Sequence, residues 1–292
     1  MSASLVGSEM CIRDRGSMDA FILQAIEKIR CPFLDVFFAV FTALGEEMII
    51  AAIIAVVYIC FHKRTGEQAL LSVMTASCVT AGIKSAVRRN RPYVAGVVDR
   101  VDIDNALVST ADLDADMSFP SGHATATSGF FGTLAARFRK PLVIILCALF
   151  TLLVMTSRVY LGVHYPTDVL AGLLIGAGIA IIWQLIYWKA YKARLYIYLI
   201  FALLTLPLLF IGRTATHSMF QVSAITLATA LGLLIEDKFI RFPDTKNWGC
   251  RILRLVIAGL VAVIPFALLS LLPEGEWFSF LKYFATIFAT IT

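Results

Sequence analysis

The sequence predicts an all-α protein, a polytopic bundle of helices that crosses a membrane. Of its 292 residues, 59% are hydrophobic and only 15% are charged, and the mean hydropathy is +0.83. Soluble domains are about 45–50% apolar and about 25% charged. The apolar residues also form long runs separated by short charged loops, as successive membrane spans do. A soluble domain is therefore excluded, and the net charge of +5, carried mainly by loops, indicates no nucleic-acid partner.

The first part of the chain holds three different kinds of segment. Residues 1–17 are interpreted as a non-native leader or tag, because they lack the apolar core of a signal peptide and end in a Gly-Ser pair before Met18. Residues 19–30 alternate as an amphipathic helix that would lie at the membrane surface. The apolar run 32–44 is short for a span, so we expect it to be tilted or partial.

Two glutamates separate that short run from the first clear span. Glu46 and Glu47 are interpreted as structural residues, and the alternative is that they line an entrance. Residues 48–61 form the span, and the loop after it, 62–64, is basic. Residues 68–87 form a further span with several polar residues, which in a membrane bundle face the interior.

The centre of the chain contains its longest polar segment, residues 93–119. Its aspartates lack the spacing of an EF-hand loop and are interpreted as a solvated loop without a metal site. Downstream we predict a helix, a basic turn and two spans, at 121–136, 137–140, 141–160 and 168–188.

The C-terminal part adds further apolar runs. Three spans are predicted there and a fourth is a candidate, at 195–212, 218–235, 252–272 and 277–292. We therefore divide the chain into a leader (1–17), a core (18–192) and a C-terminal transmembrane extension (193–292). The chain stops inside an apolar run, which is consistent with a truncated C-terminus.

The loops between spans predict the topology. If the spans alternate, the most basic loops all lie on one side, which the positive-inside rule makes cytoplasmic. These loops are 62–67, 137–140, 189–194 and 236–251. Four polar residues then lie at the outer ends of their helices: Lys84, His123, Arg158 and His164. Span counting alone thus predicts a site on the extracytoplasmic side.

A turn followed by a helix start lies at the centre of this predicted site. The sequence Phe119-Pro120-Ser121-Gly122-His123 places free backbone N–H groups and the positive end of a helix dipole where they suit a phosphate. An ionisable histidine in the first turn of such a helix is costly without a function.

Two more clusters flank that turn. Lys84, Arg88 and Arg91 share a helix face and suit either phosphate binding or anchoring at the interface. His164 and Asp168 are four residues apart across a helix start, a spacing that lets a carboxylate hold one imidazole nitrogen and leave the other available.

Together the motifs Lys84-x6-Arg91-Pro92, Pro120-Ser121-Gly122-His123 and Ser157-Arg158-x5-His164-x3-Asp168 resemble the three-part signature of the type-2 phosphatidic acid phosphatase superfamily. The resemblance is to its membrane lipid phosphatase branch, which shares its site with the vanadium haloperoxidases. It implies a six-helix phosphatase core, with the C-terminal extension outside it.

The resemblance also implies a role for each matched residue. His164 would be the nucleophile that forms a phosphohistidine, Asp168 would orient it, and His123 would protonate the leaving group. Phosphate oxygens would be bound by Lys84, Arg91, Ser121, Gly122 and Arg158. Arg88 lies in the variable part of the first motif and is a candidate auxiliary phosphate ligand. No metal and no cofactor are expected.

The expected function is hydrolysis of a lipid phosphate or pyrophosphate in the bilayer, on the extracytoplasmic face of a bacterial plasma membrane. Undecaprenyl pyrophosphate is the first expectation, with phosphatidic acid, diacylglycerol pyrophosphate and phosphatidylglycerophosphate open. One alternative is a phosphotransferase that passes the phosphate to a lipid or sugar hydroxyl. Another is a transporter or scaffold without catalysis. A haloperoxidase is disfavoured because those relatives are mainly soluble. The oligomeric state stays open.

Overall fold

The computed structural model describes residues 18–101, 117–211, 216–273 and 275–292. The leader 1–17 and most of the acidic segment 93–119 lie outside these residues. The described helices are α1 (Met18–Glu27), α2 (Pro32–Leu44), α3 (Glu47–Val56), α4 (Lys63–Val87), α5 (Gly122–Phe138), α6 (Pro141–Tyr160), α7 (Pro166–Lys189), α8 (Arg194–Thr205), α9 (His217–Ile235), α10 (Trp248–Leu269) and α11 (Glu276–Ile291). No strand occurs in the described ranges, and the all-α prediction is confirmed.

Short turns of other helix types extend some of these elements. Val57–Phe61 and Glu236–Ile240 are π-helical continuations of α3 and α9. Tyr191–Ala193 and Leu206–Phe210 are 3₁₀ turns on either side of α8. Within the described residues, six helical segments are long and apolar enough to cross a membrane. The predicted polytopic bundle is thus confirmed.

The short run 32–44 forms the first part of a bent pair. Helices α2 and α3 meet at a break with a bend of 50°, and together they are long and apolar enough to make a seventh span. Gly45 and Glu46 lie at this break. The run 32–44, expected to be a tilted or partial span, is therefore one half of a bent helix pair.

Helix α5 occupies the middle of the core. It packs most extensively against α7, and also against α4 and α6. Glycines on α7 allow the close approach: a Cβ atom at Gly176 would lie 2.1 Å from Ser128 Oγ and 2.3 Å from the Thr125 carbonyl oxygen. Small residues at helix contacts are typical of membrane bundles. The tight contact fixes the N-terminal end of α5 beside the start of α7.

The four basic loops meet at one end of the bundle. Arg137 Nε donates to Thr65 Oγ1 at 2.6 Å, which joins the 137–140 turn to the start of α4. Buried Glu67 accepts from Arg194 Nε at 2.5 Å, and Lys63 Nζ donates to Glu236 Oε1 at 2.5 Å. The structure thus brings together the loops that span alternation places on one side.

The C-terminal helices share a hydrophobic cluster with the preceding helices. Helix α9 packs on α4, α8 and α11. Leu71 of α4, Trp183 of α7, Tyr198 of α8 and Leu233 of α9 are all buried in one cluster. Helix α10 packs on α11, and its apolar side chains are mostly exposed, as expected for a surface that faces lipid.

Helix α1 docks on the core through its apolar face. Ala20 and Leu23 are fully buried against residues of α6, α7 and the segment after α4. Asp19 is also buried, and its carboxylate accepts from the Thr167 backbone N–H at 3.2 Å. The sequence predicted that this amphipathic helix lies on the membrane surface. In the structure its apolar side packs against the protein near the start of α7.

Candidate active site

The three motifs meet at the end of the bundle opposite the basic loops. Backbone hydrogen bonds join the segments that carry them: Ser118 N–H donates to the Arg89 carbonyl at 2.8 Å, and Ser121 N–H donates to the Asp168 carbonyl at 3.1 Å. Arg91 Nη1 donates to the Val163 carbonyl at 3.2 Å. The first motif is therefore held to both of the others, and the turn before α5 is held to the start of α7.

His164 lies in the short loop between α6 and α7 and is only 1% exposed. Its Nε2 atom is 3.3 Å from Arg91 Nη1. Its Nδ1 atom is 3.4 Å from Ser118 Oγ and 3.6 Å from Asp168 Oδ2. One nitrogen of the imidazole ring thus meets the guanidinium of Arg91, and the other meets a serine and a carboxylate.

The hydrogen bonds determine which nitrogen of His164 carries the proton. Asp168 accepts from three donors: the Tyr165 backbone N–H at 2.9 Å, Arg89 Nη1 at 2.8 Å and the Ser118 hydroxyl. A carboxylate surrounded in this way acts only as an acceptor, so the Ser118 hydrogen points to Asp168. Ser118 Oγ must then accept the Nδ1 hydrogen of His164. The Nε2 atom keeps its lone pair, which a nucleophile needs.

Burial and neighbouring charge keep this imidazole neutral. Removal from water, followed by the positive charges of Arg91, Arg158 and Lys84, lowers the pKa of His164 well below its ordinary value. The ring is therefore uncharged at pH 7. The same cations suit a bound phosphate, whose negative charge they balance.

Asp168 is itself held by residues that sequence reasoning missed. Arg89 bonds Asp168 and also donates to Asp19 Oδ2 at 3.1 Å. Its guanidinium carbon lies 3.7 Å from the centre of the Tyr165 ring. Ser118 is fully buried between His164 and Asp168. The only signals in the sequence were their positions: Arg89 lies in the variable part of the first motif, and Ser118 lies two residues before Pro120.

The turn before α5 presents the second histidine. Ser121 is the N-cap of α5, where its Oγ accepts from Ala124 N–H at 3.5 Å, and its own hydroxyl hydrogen is not used by that bond. His123 Nε2 lies 2.9 Å from Glu46 Oε2. A Cβ atom at Gly122 would lie 2.9 Å from Glu47 Oε1, so the carboxylate of Glu47 adjoins the helix start. Both glutamates therefore lie beside the helix start that carries His123.

The side chains of the site differ in how deeply they are buried. Asp168, Arg91 and Arg158 are buried, at 0%, 2% and 2% exposure. Lys84 and His123 are half-buried. His164, with Asp168, Arg91 and Arg158, thus lies deeper than Lys84 and His123.

Arg88 takes a different position from the other candidates. It ends α4 in the left-handed conformation with φ of 52°, is exposed, and its Nε donates to the Ser85 carbonyl at 3.0 Å. The next residue, Arg89, is the one that reaches Asp168. A phosphate-binding role for Arg88 remains a prediction.

A metal centre is not formed by the residues in the described ranges, where no group of three or more His, Cys, Asp or Glu side chains could hold an ion. The positive charge of the site comes from Lys84, Arg91 and Arg158, which all act on His164.

The chain is similar to a known superfamily and to several known proteins. Residues 67–194 match the PAP2 superfamily, and residues 220–292 match its phosphatase transmembrane extension. The chain is 31% identical over 141 residues to a decaprenylphosphoryl-5-phosphoribose phosphatase of Mycobacterium tuberculosis, covering 47% of this chain and 72% of the relative.

Two further relatives are more distant. A lipid A 4'-phosphatase of Bacteroides thetaiotaomicron is 28% identical over 54% of this chain and 72% of its own length. The crystal structure of a transmembrane PAP2-type phosphatidylglycerolphosphate phosphatase from Bacillus subtilis is 26% identical, covers 59% of this chain and 85% of its own, and has a TM-score of 0.47. The protein belongs to the PAP2 superfamily and is a multi-span membrane phosphatase of its lipid phosphatase family.

Proposed function

We propose that the protein removes a phosphate group from a membrane lipid through a phosphohistidine at His164. The observation that carries this proposal is the His164–Ser118–Asp168 chain, which leaves the Nε2 lone pair beside Arg91. In the first step Nε2 attacks phosphorus, the bond between phosphorus and the leaving oxygen breaks, and His123 gives that oxygen a proton.

The second step returns the enzyme to its starting state. Neutral His123 takes a proton from water, the water oxygen attacks phosphorus, and the bond between phosphorus and Nε2 breaks to release inorganic phosphate. Lys84, Arg91, Arg158, the Ser121 hydroxyl and the Gly122 N–H would hold the phosphoryl oxygens in both steps, where charge stabilisation and positioning supply most of the catalysis.

The substrate is proposed to come from the bilayer on the extracytoplasmic side. The site lies at the end of the bundle opposite the basic loops, and basic loops are retained on the cytoplasmic side. A polyprenyl pyrophosphate such as undecaprenyl pyrophosphate, in a bacterial plasma membrane, is our first candidate. The similarity to a phosphatase named for a decaprenylphosphoryl substrate supports a polyprenyl lipid. Phosphatidic acid, diacylglycerol pyrophosphate and phosphatidylglycerophosphate are the comparison substrates.

The test is phosphate release by the purified protein in detergent over that lipid panel, with EDTA present throughout. We expect turnover of at least one lipid phosphate at an unchanged rate in EDTA, because side-chain cations hold the phosphate. Loss of turnover in EDTA that added metal restores would contradict the mechanism. Transfer of the phosphate to an added lipid or sugar alcohol, with little free phosphate, would instead identify a phosphotransferase. Absence of both activities on the whole panel would favour the transporter or scaffold.

A further inference from the structure

The carboxylate of a residue at the bend between α2 and α3 contacts His123, the second histidine of the site. Glu46 lies at the 50° break between α2 and α3, and its Oε2 is 2.9 Å from His123 Nε2. The two residues are 77 positions apart in the sequence. Ionisable residues within membrane bundles are costly and usually serve a function.

The break is held in place by contacts with α6. Thr42 Oγ1 and Ser157 Oγ, both buried, are 2.7 Å apart. A Cβ atom at Gly45 would lie 2.4 Å from Val154 Cγ1, so only glycine allows this approach. The C-terminal end of α2 is therefore fixed against α6, and packed elements rather than a mobile loop deliver the carboxylate of Glu46 to His123.

The surroundings of His123 explain why a carboxylate is needed there. Burial, then the positive charges of Arg158 and Arg91, disfavours a charge on His123, whereas the hydrogen bond and the charge of Glu46 favour it. Positive charges at this range oppose the protonated imidazolium, which is the form that a general acid must hold. A neighbouring carboxylate counters that effect and also fixes the orientation of the ring.

We propose that Glu46 is the positioning residue of His123, and this inference rests on the proposed function. Glu46 accepts the Nε2 hydrogen, so the proton for transfer lies on Nδ1 of the imidazolium. Transfer from Nδ1 to the leaving oxygen then leaves the neutral Nε2–H tautomer, which stays bonded to Glu46. When water attacks the phosphohistidine, Nδ1 takes the proton back.

The experiment compares two substrates with the same apolar tail, an alkyl phosphate and a 4-alkylphenyl phosphate. An alkoxide leaves poorly and needs a proton, whereas a phenoxide leaves with little help. For Glu46→Gln we expect kcat/KM, which reports the step that forms the phosphohistidine and expels the leaving group, to fall about 10- to 100-fold on the alkyl phosphate and about threefold or less on the aryl phosphate. Glu46→Asp, which keeps the charge, should restore part of the loss.

The matched control is Glu276→Gln in α11. Glu276 Oε2 lies 3.0 Å from His217 Nδ1, so the same kind of pair is broken in the C-terminal helices. We expect no change in kcat/KM on either substrate. If Glu46→Gln does not give folded protein, Glu46→Asp carries the same test, with a smaller loss confined to the alkyl phosphate.

The double variant with His123→Ala separates this inference from the proposed function. We expect Glu46→Gln to cost no further activity when His123 is absent, because it acts through that residue. Equal losses on both substrates, or a full further loss in the double variant, would overturn the role of Glu46. If His123→Ala itself lost equal activity on both substrates, His123 would not be the general acid, and the proposed proton transfer would be wrong. Phosphate transfer through His164 is tested separately, by the His164→Ala variant.

Discussion

Replacing His164 with alanine is expected to abolish turnover, with kcat lower by on the order of 10⁴-fold or more. The substitution removes the nitrogen that attacks phosphorus in the first step of the proposed mechanism, and no water is activated in its place. KM should change little, because Lys84, Arg91 and Arg158 would still bind the phosphate. Initial rates of phosphate release in detergent, measured over a range of lipid phosphate concentrations, give both constants.

The control for that variant is His217→Ala. His217 is an exposed histidine at the start of α9 that pairs with Glu276, outside the three motifs. It should keep the activity of the parent protein. A fully active His164→Ala protein would overturn the assignment of the nucleophile, and with it the enzymatic mechanism proposed for this site.

Replacing Arg91 with lysine should lower kcat by about 10²–10³-fold. Arg91 is buried, holds the Val163 carbonyl and places Nη1 at 3.3 Å from the attacking nitrogen. A lysine retains the charge but loses the planar fork that can bind a phosphate oxygen and the carbonyl together. The same phosphate release assay measures this loss, and binding of inorganic phosphate as a competitive inhibitor should weaken in parallel.

Arg254→Lys is the matched control. Arg254 Nη1 also donates to a backbone carbonyl, that of Pro243, at 2.8 Å, but in the C-terminal helices. We expect unchanged kcat and an unchanged inhibition constant for phosphate. Arg91→Lys with parent activity would show that its guanidinium does not take part in phosphate binding.

Features that depend on residues close together in the sequence were predictable, and features that depend on distant residues were not. Apolar runs and loop charges depend on local composition, so the all-α bundle and the grouping of the basic loops were predictable. The motif residues His164, His123 and Arg91 were identifiable because their residue types and short spacings match the chemistry of phosphate. The structure brings the nucleophile candidate and its carboxylate Asp168 to 3.6 Å.

The residues that hold the site in place were not predictable in the same way. Glu46 reaches His123 only because α2 and α3 bend against α6, and no local pattern encodes that contact. Ser118 lies near the second motif and Arg89 lies within the first, yet their bonds to Asp168 require the turn before α5 and the segment after α4 to pack against the start of α7. Arg88, one residue away, is exposed. A difference of one position at a helix end therefore decides which arginine reaches the interior.

The central claim is the covalent intermediate on His164, and rapid acid-free quenching followed by peptide mass spectrometry tests it most directly. The protein is mixed with a lipid phosphate, quenched in base within the first turnover, digested and mapped. We predict a base-stable, acid-labile phosphate on the peptide with His164, absent from His164→Ala. A phosphate on another residue, or full turnover with no phosphoenzyme at any time point, would contradict the mechanism.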